Sequence, residues 1–149
     1  MNYKYTSRSV KDTLELAQNI ESEKFPGMVI CLNGDLGSGK TVFVKGFALA
    51  LGLEENITSP TFTIVKEYLN GEAPLYHMDV YRLDDNSEFG IEDYFNKEGI
   101  CIIEWADLIE DRLPRERLDI NIKIIDENTR ILVFKPKGEQ YEELCDAVL

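Results

Sequence analysis

The sequence predicts one α/β domain over residues 1–149, in which helices flank a mixed parallel and antiparallel central sheet. An apolar segment at residues 28–32 runs into a glycine-rich turn and an amphipathic helix, as expected where helices cover a parallel sheet. Residues 100–103 are continuously apolar, as in a central strand covered on both faces. Residues 118–124 alternate between apolar and polar and return at 131–134, which predicts an antiparallel hairpin.

Two further elements are predicted before and after the glycine-rich turn. Residues 2–6 are expected to form a short edge strand. A helix is expected from Ser9 or Asp12 to about Ser22, because apolar residues recur there on one side. The helix after the turn is expected to end at Gly52, since glycine suits the position just past a helix C-terminus.

The middle of the chain predicts a second pair of antiparallel strands. Residues 62–68 and 75–81 have strand composition, and the turn at 70–74 is too short to hold a crossover helix. Alternation along the second strand places His77 and Asp79 on the same face.

Three helical segments are expected in the remaining chain. Residues 84–97 are polar and partly helical, and a short helix is expected near residues 106–112. The last helix is predicted from apolar residues at i, i+3, i+4 and i+7, namely Tyr141, Leu144, Cys145 and Val148.

The charge balance argues against strong direct binding of nucleic acid. The chain has 28 acidic and 16 basic residues, a formal net charge of −12, and its one compact basic cluster is at residues 112–117. Neutralising backbone phosphates requires clustered positive charge, so the chain alone is expected to bind RNA or DNA poorly. An acidic surface suits a basic protein partner, although many acidic proteins are simply soluble.

Cysteine usage and hydropathy favour the cytoplasm. The three cysteines are scattered, which argues against disulfides and against a zinc site. No apolar run approaches the length of a membrane span, and residues 1–4 lack the apolar core of a signal peptide. We therefore expect a reduced, cytoplasmic protein without membrane association.

The turn at residues 34–41 reads GDLGSGKT and fits the pattern G-x-x-x-x-G-K-[ST] without a mismatch. Between a strand and a helix, this pattern forms a phosphate-binding P-loop. Glycines let successive N–H groups point at phosphate oxygens, and the helix N-terminus adds its positive dipole end. Lys40 is expected to bridge the β- and γ-phosphates, and the Thr41 hydroxyl to bind Mg²⁺. The residues expected at the nucleotide are Asp35, Leu36, Gly37, Ser38, Gly39, Lys40 and Thr41.

The competing interpretation of this segment is a plain glycine turn, which requires neither Lys40 nor Thr41. The motif instead predicts a single P-loop ATPase domain over residues 1–149. ATP is the expected nucleotide, because the sequence Asn-Lys-x-Asp, which specifies guanine, is absent. Residues 96–99 lack the closing Asp of that sequence. A small-molecule kinase stays possible, but the six arginines are dispersed and no lid-sized insertion exists.

Two carboxylates are candidates for the acidic group that catalysis on a bound nucleotide needs. Glu104 follows the apolar strand at 100–103, and so lies at the carboxyl end where α/β sheets bind ligands. Asp79 closes the strand that carries His77. The alternative to a catalytic role, for either carboxylate, is that it is a solvated surface group or a helix N-cap.

Three nearby features stay open on chemistry alone. His77, the only histidine, is either a packed structural residue or a general base. Trp105, the only tryptophan, either borders the nucleotide or fills the core. Residues 59–63 (SPTFT) are either a loop that senses the γ-phosphate or a Ser-Pro turn entering a strand.

Four segments together resemble the TsaE (YjeE) family, the small P-loop ATPases of bacterial tRNA threonylcarbamoyladenosine biosynthesis. They are GDLGSGKT at 34–41, SPTFT at 59–63, HMDVYRL at 77–83 and IEW at 103–105. The P-loop alone is unspecific, but the four in this order are very specific, and the resemblance covers nearly the whole chain.

The resemblance implies an ATPase that works with TsaB and TsaD, in which TsaD transfers the threonylcarbamoyl group to adenosine next to the tRNA anticodon. It implies that ATP binding promotes assembly and that hydrolysis resets the complex, with tRNA contacts left mainly to the partners. Two alternatives remain, a nucleotide-gated binding module with incidental hydrolysis and a small-molecule kinase.

The resemblance also implies roles for particular residues. Thr41 and Glu104 would hold Mg²⁺, Asp79 would lie against the nucleotide–metal site, and residues 59–63 would act as a switch-like loop. Contributions to nucleotide binding are implied for residues 6–10, Thr129 and Arg130. The chain departs from the family at residues 84–89, which are about one helical turn shorter than usual.

Overall fold

The strand that precedes the P-loop lies at the centre of the sheet. The computed structural model describes residues 1–54, 56–58, 60, 65–81, 90–95 and 98–149. Within these residues seven strands form one sheet in the order β1-β7-β6-β2-β5-β4-β3. The strands are β1 (Tyr3–Ser7), β2 (Val29–Gly34), β3 (Val65–Tyr68), β4 (Leu75–Asp79), β5 (Ile100–Glu104), β6 (Arg117–Ile124) and β7 (Arg130–Lys137).

The sheet is mixed, as predicted. β2 pairs in parallel with β5 and β6, and β4 pairs in parallel with β5. The outer pairs β3–β4, β6–β7 and β1–β7 are antiparallel. The carboxyl ends of β2, β4 and β5 therefore meet at one edge of the sheet, beside the P-loop.

Helices cover the two faces unequally. The helices α1 (Val10–Glu21), α2 (Lys40–Ala50) and α4 (Glu139–Val148) pack on one face and contribute to the larger hydrophobic core. The short helix α3 (Glu92–Phe95) and a 3₁₀ helix (Ala106–Arg112) pack on the other face, over β2, β4 and β5. The predicted α/β fold with helices on both sides of a mixed sheet is confirmed.

Local sequence signals set the helix ends. Ser9 caps α1 through its Oγ, which accepts the backbone N–H of Asp12 at 3.1 Å. Beyond α2, the N–H of Gly52 donates to the carbonyl of Leu49 and that of Leu53 to the carbonyl of Ala48. This pair of bonds is a Schellman motif, so the predicted stop at Gly52 is confirmed.

Gly46 allows α1 and α2 to approach closely. A Cβ at this position would lie 2.5 Å from the Leu14 carbonyl oxygen and 2.9 Å from the Ala17 Cβ. The two helices make one of the most extensive contacts in the molecule, and α2 is thereby held over β2.

The other predicted elements are largely present. The edge strand and the two hairpins form as expected, and residues 65–68 pair antiparallel with β4. The short helix expected near residues 106–112 is present as a 3₁₀ helix, with non-helical backbone angles at Ile109, whose side chain is buried. The proposed switch loop at 59–63, except Pro60, and the shortened segment at 84–89 lie outside the described residues.

In the described part of the chain, every helix is too short or too polar to cross a membrane.

Candidate functional site

The P-loop joins β2 to α2 in a conformation that depends on glycine. Gly37 and Gly39 have φ angles of +81° and +108°, in the left-handed region that residues other than glycine rarely adopt. Gly39 is the N-cap residue of α2 and has no side chain with which to cap it. Asp35 and Leu36 are exposed. The loop therefore presents a helix N-terminus at an open surface, which is a favourable place for an anion.

Lys40 folds back onto this loop. Its Nζ donates to the carbonyl of Gly34 at 2.6 Å and to that of Asp35 at 3.0 Å. The same nitrogen lies 4.0 Å from the centroid of the Trp105 ring, within range of a cation–π interaction. Burial lowers the pKa of Lys40, while the surrounding carboxylates, Glu104 foremost, act in the opposite direction. Lys40 is thus a nearly buried cation, held by groups that a phosphate can replace.

Thr41 and Glu104 are brought together by the parallel pairing of β2 with β5. Glu104 is aligned with Leu32 at the carboxyl end of β2, and Thr41 lies in the first turn of α2. The Thr41 hydroxyl is 3.2 Å from each carboxylate oxygen of Glu104, which is 2% exposed. A hydroxyl and a carboxylate next to a phosphate-binding loop are the oxygen donors that Mg²⁺ prefers, so these residues fit that ion.

β4 places His77 and Asp79 beside Glu104. Asp79 is aligned with Glu104 across the parallel β4–β5 pair. The carboxylate of Glu104 nevertheless contacts His77, whose Nε2 lies 2.5 Å from Oε2. Asp79 Oδ1 accepts the backbone N–H of Tyr81 at 3.0 Å. Burial is the main cause that raises the pKa of Asp79; the Tyr81 N–H opposes it and the Glu104 charge adds to it.

Trp105 lies at the rim between the P-loop and the core. Its backbone is left-handed, with φ of 62°, the one non-glycine residue with positive φ in the described chain. Its N–H donates to the carbonyl of Leu32 at 2.9 Å, which extends the β2–β5 ladder by one bond. The ring packs between Lys40 Nζ and the Tyr81 ring, whose centroid is 4.8 Å away. The indole is thus partly buried and also borders the P-loop.

Arg130 connects the β6–β7 turn to the P-loop. Its Nε donates to the Ser38 carbonyl at 3.1 Å and its Nη2 to the Gly37 carbonyl at 3.2 Å. Its Nη1 donates to carbonyls of the turn, including Asp126 at 2.7 Å and Thr129 at 3.1 Å. The guanidinium therefore contacts loop backbone, and we expect it to hold the P-loop in shape.

Thr129 belongs to the same turn. Its backbone N–H donates to Asp126 Oδ1 at 2.9 Å. The N–H groups of Asn128 and Thr129 at this carboxylate lower the pKa of Asp126. Ser7 is aligned with Arg130 across the β1–β7 pair, so the start of the segment at residues 6–10 lies beside the end of β7 that carries Arg130.

Sequence reasoning missed Asn33. Its side chain donates to Asn121 Oδ1 at 3.1 Å and accepts the backbone N–H of Asp107 at 2.8 Å. Asn33 thereby joins β2, β6 and the 3₁₀ helix directly before the P-loop. The available signal was a polar residue at the end of an apolar strand, which by itself has many explanations.

Comparisons with known proteins identify a family and several relatives that this chain resembles. The family model described as "Threonylcarbamoyl adenosine biosynthesis protein TsaE" matches residues 7–132. The chain is 48% identical over 144 residues to the "tRNA threonylcarbamoyladenosine biosynthesis protein TsaE" of Bacillus subtilis (strain 168), covering 96% of this chain and 91% of that protein.

A second relative and a solved structure are also similar. The protein with the same description from Treponema pallidum (strain Nichols) is 40% identical over 127 residues, which cover 83% of this chain and 93% of that protein. The crystal structure of Bacillus subtilis YdiB superposes with a TM-score of 0.85 at 43% identity, over 99% of this chain and 94% of that one.

Proposed function

The chain belongs to the TsaE family of tRNA threonylcarbamoyladenosine biosynthesis, and we propose that it acts there as a Mg²⁺-dependent ATPase. The observation that carries the proposal is the position of Glu104, whose carboxylate oxygens are both 3.2 Å from the Thr41 hydroxyl. A P-loop threonine next to a buried carboxylate at the end of a parallel strand is the arrangement that binds nucleotide together with a metal.

ATP binding would use the P-loop backbone and Lys40. The phosphates occupy the N-terminus of α2, where backbone N–H groups and the helix dipole favour negative charge. Lys40 leaves the carbonyls of Gly34 and Asp35, to which it is now bonded at 2.6 and 3.0 Å, and donates to the β- and γ-phosphates. Trp105 is released from the ammonium group at the same time and lies next to the nucleotide.

Thr41 and Glu104 would hold Mg²⁺ against these phosphates. When bound, the ion neutralises charge that develops on the phosphate oxygens during transfer. Asp79, aligned with Glu104 at the end of β4, would orient the attacking water. The water oxygen would bond to the γ-phosphorus while the bond from this phosphorus to the bridging β–γ oxygen breaks, its electron pair staying with ADP. The proton of the water would pass to a phosphate oxygen, and ADP and phosphate would leave.

The partners proposed for this chain are TsaB and TsaD. ATP binding drives assembly with them and hydrolysis resets the complex between rounds of threonylcarbamoylation at the adenosine next to the tRNA anticodon. The net charge of −12 supports a division of labour in which the partner subunits make the tRNA contacts. The proposed compartment is the cytoplasm.

The test is to measure phosphate release and modified tRNA in one reaction, with TsaB and TsaD added or withheld. The proposal predicts slow release by the chain alone, faster release with the pair, and repeated rounds of modification only when ATP is hydrolysed. Sustained modification by a hydrolysis-dead variant would instead establish a binding module. Transfer of the γ-phosphate to a metabolite rather than to water would establish a kinase.

A further inference from the structure

His77 is fully buried against the carboxylate of Glu104, and nothing proposed above uses it. The His77 ring is 0% exposed, Glu104 is 2% exposed, and Nε2 lies 2.5 Å from Oε2. A contact this short between two buried polar side chains fixes both of them.

The direction of this hydrogen bond follows from the chemistry of the two groups. An ionised carboxylate only accepts, so the hydrogen belongs to Nε2. In the neutral imidazole, Nδ1 is then an acceptor, and among the described residues it has no hydrogen-bond partner although it is buried. A histidine kept only for packing is expected to satisfy both nitrogens. In the part of the chain that the structure describes, His77 instead satisfies only the nitrogen that contacts Glu104.

Asp79 does not supply this hydrogen bond to Glu104, although strand register pairs it directly with Glu104. Asp79 and Glu104 are paired across β4–β5, but both are carboxylates, and Asp79 Oδ1 accepts the Tyr81 N–H. His77 lies two residues earlier on the same face of β4 and supplies the donor. Glu104 is thus held between a donor on β4 and the Thr41 hydroxyl on α2.

We propose that His77 is a positioning residue, whose Nε2–H fixes one carboxylate oxygen of Glu104 and so holds the carboxylate in the orientation in which it faces Thr41 and the bound metal. The inference rests on the proposed function, since it assigns His77 a task only if Thr41 and Glu104 bind Mg²⁺. Donors behind a metal-binding carboxylate commonly set its orientation and its affinity for the ion.

The experiment compares His77→Gln with His77→Asn in the full chain. The glutamine amide nitrogen occupies about the position of Nε2, whereas that of asparagine occupies about the position of Nδ1 and points away from Glu104. ATP binding is measured by calorimetry without Mg²⁺ and then over a series of Mg²⁺ concentrations, and thermal unfolding without ligands reports stability.

The expected result is ATP binding without Mg²⁺ that is equal in all three proteins. The apparent Mg²⁺ affinity falls about 10- to 100-fold in the asparagine variant and is restored in the glutamine variant. Equal Mg²⁺ affinity in the asparagine variant and the wild type would overturn the inference, as would equal losses in both variants. If the affinity of the wild type for ATP did not change with Mg²⁺ concentration, the proposed metal site and the inference would both be overturned.

Discussion

The ammonium nitrogen of Lys40 lies 2.6 Å from the carbonyl oxygen of Gly34, six residues earlier in the same loop. The loop therefore binds its own lysine where phosphate oxygens are expected. Since burial lowers the pKa of Lys40, we expect removal of this lysine to change the free energy of unfolding little and the affinity for ATP strongly.

Lys40→Ala is expected to weaken ATP binding about 100-fold or more, which corresponds to about 2.7 kcal/mol. The physical reason is the loss of charge-assisted hydrogen bonds to two phosphates. Calorimetric titration with ATP and Mg²⁺ measures the effect. Lys45→Ala, on the exposed side of α2, is the matched control and should bind as the wild type does. Binding by the Lys40 variant within a few-fold of the control would contradict the assignment.

Arg130→Lys is expected to weaken ATP binding about tenfold and to lower the free energy of unfolding by about 1–2 kcal/mol. The reason is that one ammonium group cannot bridge the backbone of the P-loop and the backbone of the β6–β7 turn. Wild-type Arg130 donates to the carbonyls of Ser38, Gly37 and Asp126 at once. ATP titration and urea unfolding measure the two effects, with the exposed Arg115→Lys as control. Unchanged ATP affinity would show that the P-loop keeps its shape without this contact.

Gly46→Ala is expected to destabilise the protein by about 2 kcal/mol, because overpacking exceeds the helix-propensity gain. The added Cβ would lie 2.5 Å from the backbone oxygen of Leu14 and force α1 away from α2. Urea unfolding of the wild type and the variant measures this loss of stability. Leu49→Ala, at a position 57% exposed on the same helix, should change stability by only about 0.5 kcal/mol. A stabilised Gly46 variant would mean that the two helices separate without cost.

Alkaline pH is expected to destabilise the fold through Cys145. Burial is the main cause that raises the pKa of this thiol to about 11, and the nearby carboxylates of Asp146 and Glu142 add to it. In the unfolded chain the thiol has a pKa of about 8.5, so above that pH ionisation lowers the free energy of the unfolded state while the thiol of the folded state stays neutral. The contribution of Cys145 is complete below that pH and is lost as pH rises towards 11.

This loss is expected to be at most about 1.4 kcal/mol per pH unit. Urea unfolding of the wild type and of Cys145→Ala at several pH values between 8 and 11 isolates it. The variant is less stable at neutral pH but its stability declines less steeply as pH rises. Parallel declines in the two proteins would show that Cys145 does not titrate differently on folding.

The fold was predictable because its signals are local. The P-loop pattern, the apolar run of β5 and the alternation of β6 each depend on neighbouring residues, and Ser9 and Gly52 mark helix ends by their own chemistry. The strand order was not predictable, because nothing in the sequence of β6 states that it lies against β2.

Within the site, sequence reasoning found the residues but not all of their contacts. The strand ends identified Glu104 and Asp79 as neighbours of the P-loop. That Glu104 contacts His77 depends on the relative displacement of two strands and on side-chain rotamers. The contact of Arg130 with the P-loop joins residues 92 and 93 positions apart, and the close approach at Gly46 depends on how two helices cross.

The most direct test of the proposed Mg²⁺-dependent ATPase is phosphate release from Mg²⁺·ATP by the wild type and by Glu104→Gln, with TsaB and TsaD present. Glutamine keeps the size of the side chain but removes the charge that would face the metal. We predict that the variant still binds ATP while its phosphate release falls at least about 100-fold, as when a charged group that stabilises the transition state is lost. Phosphate release by Glu104→Gln at the wild-type rate would contradict it.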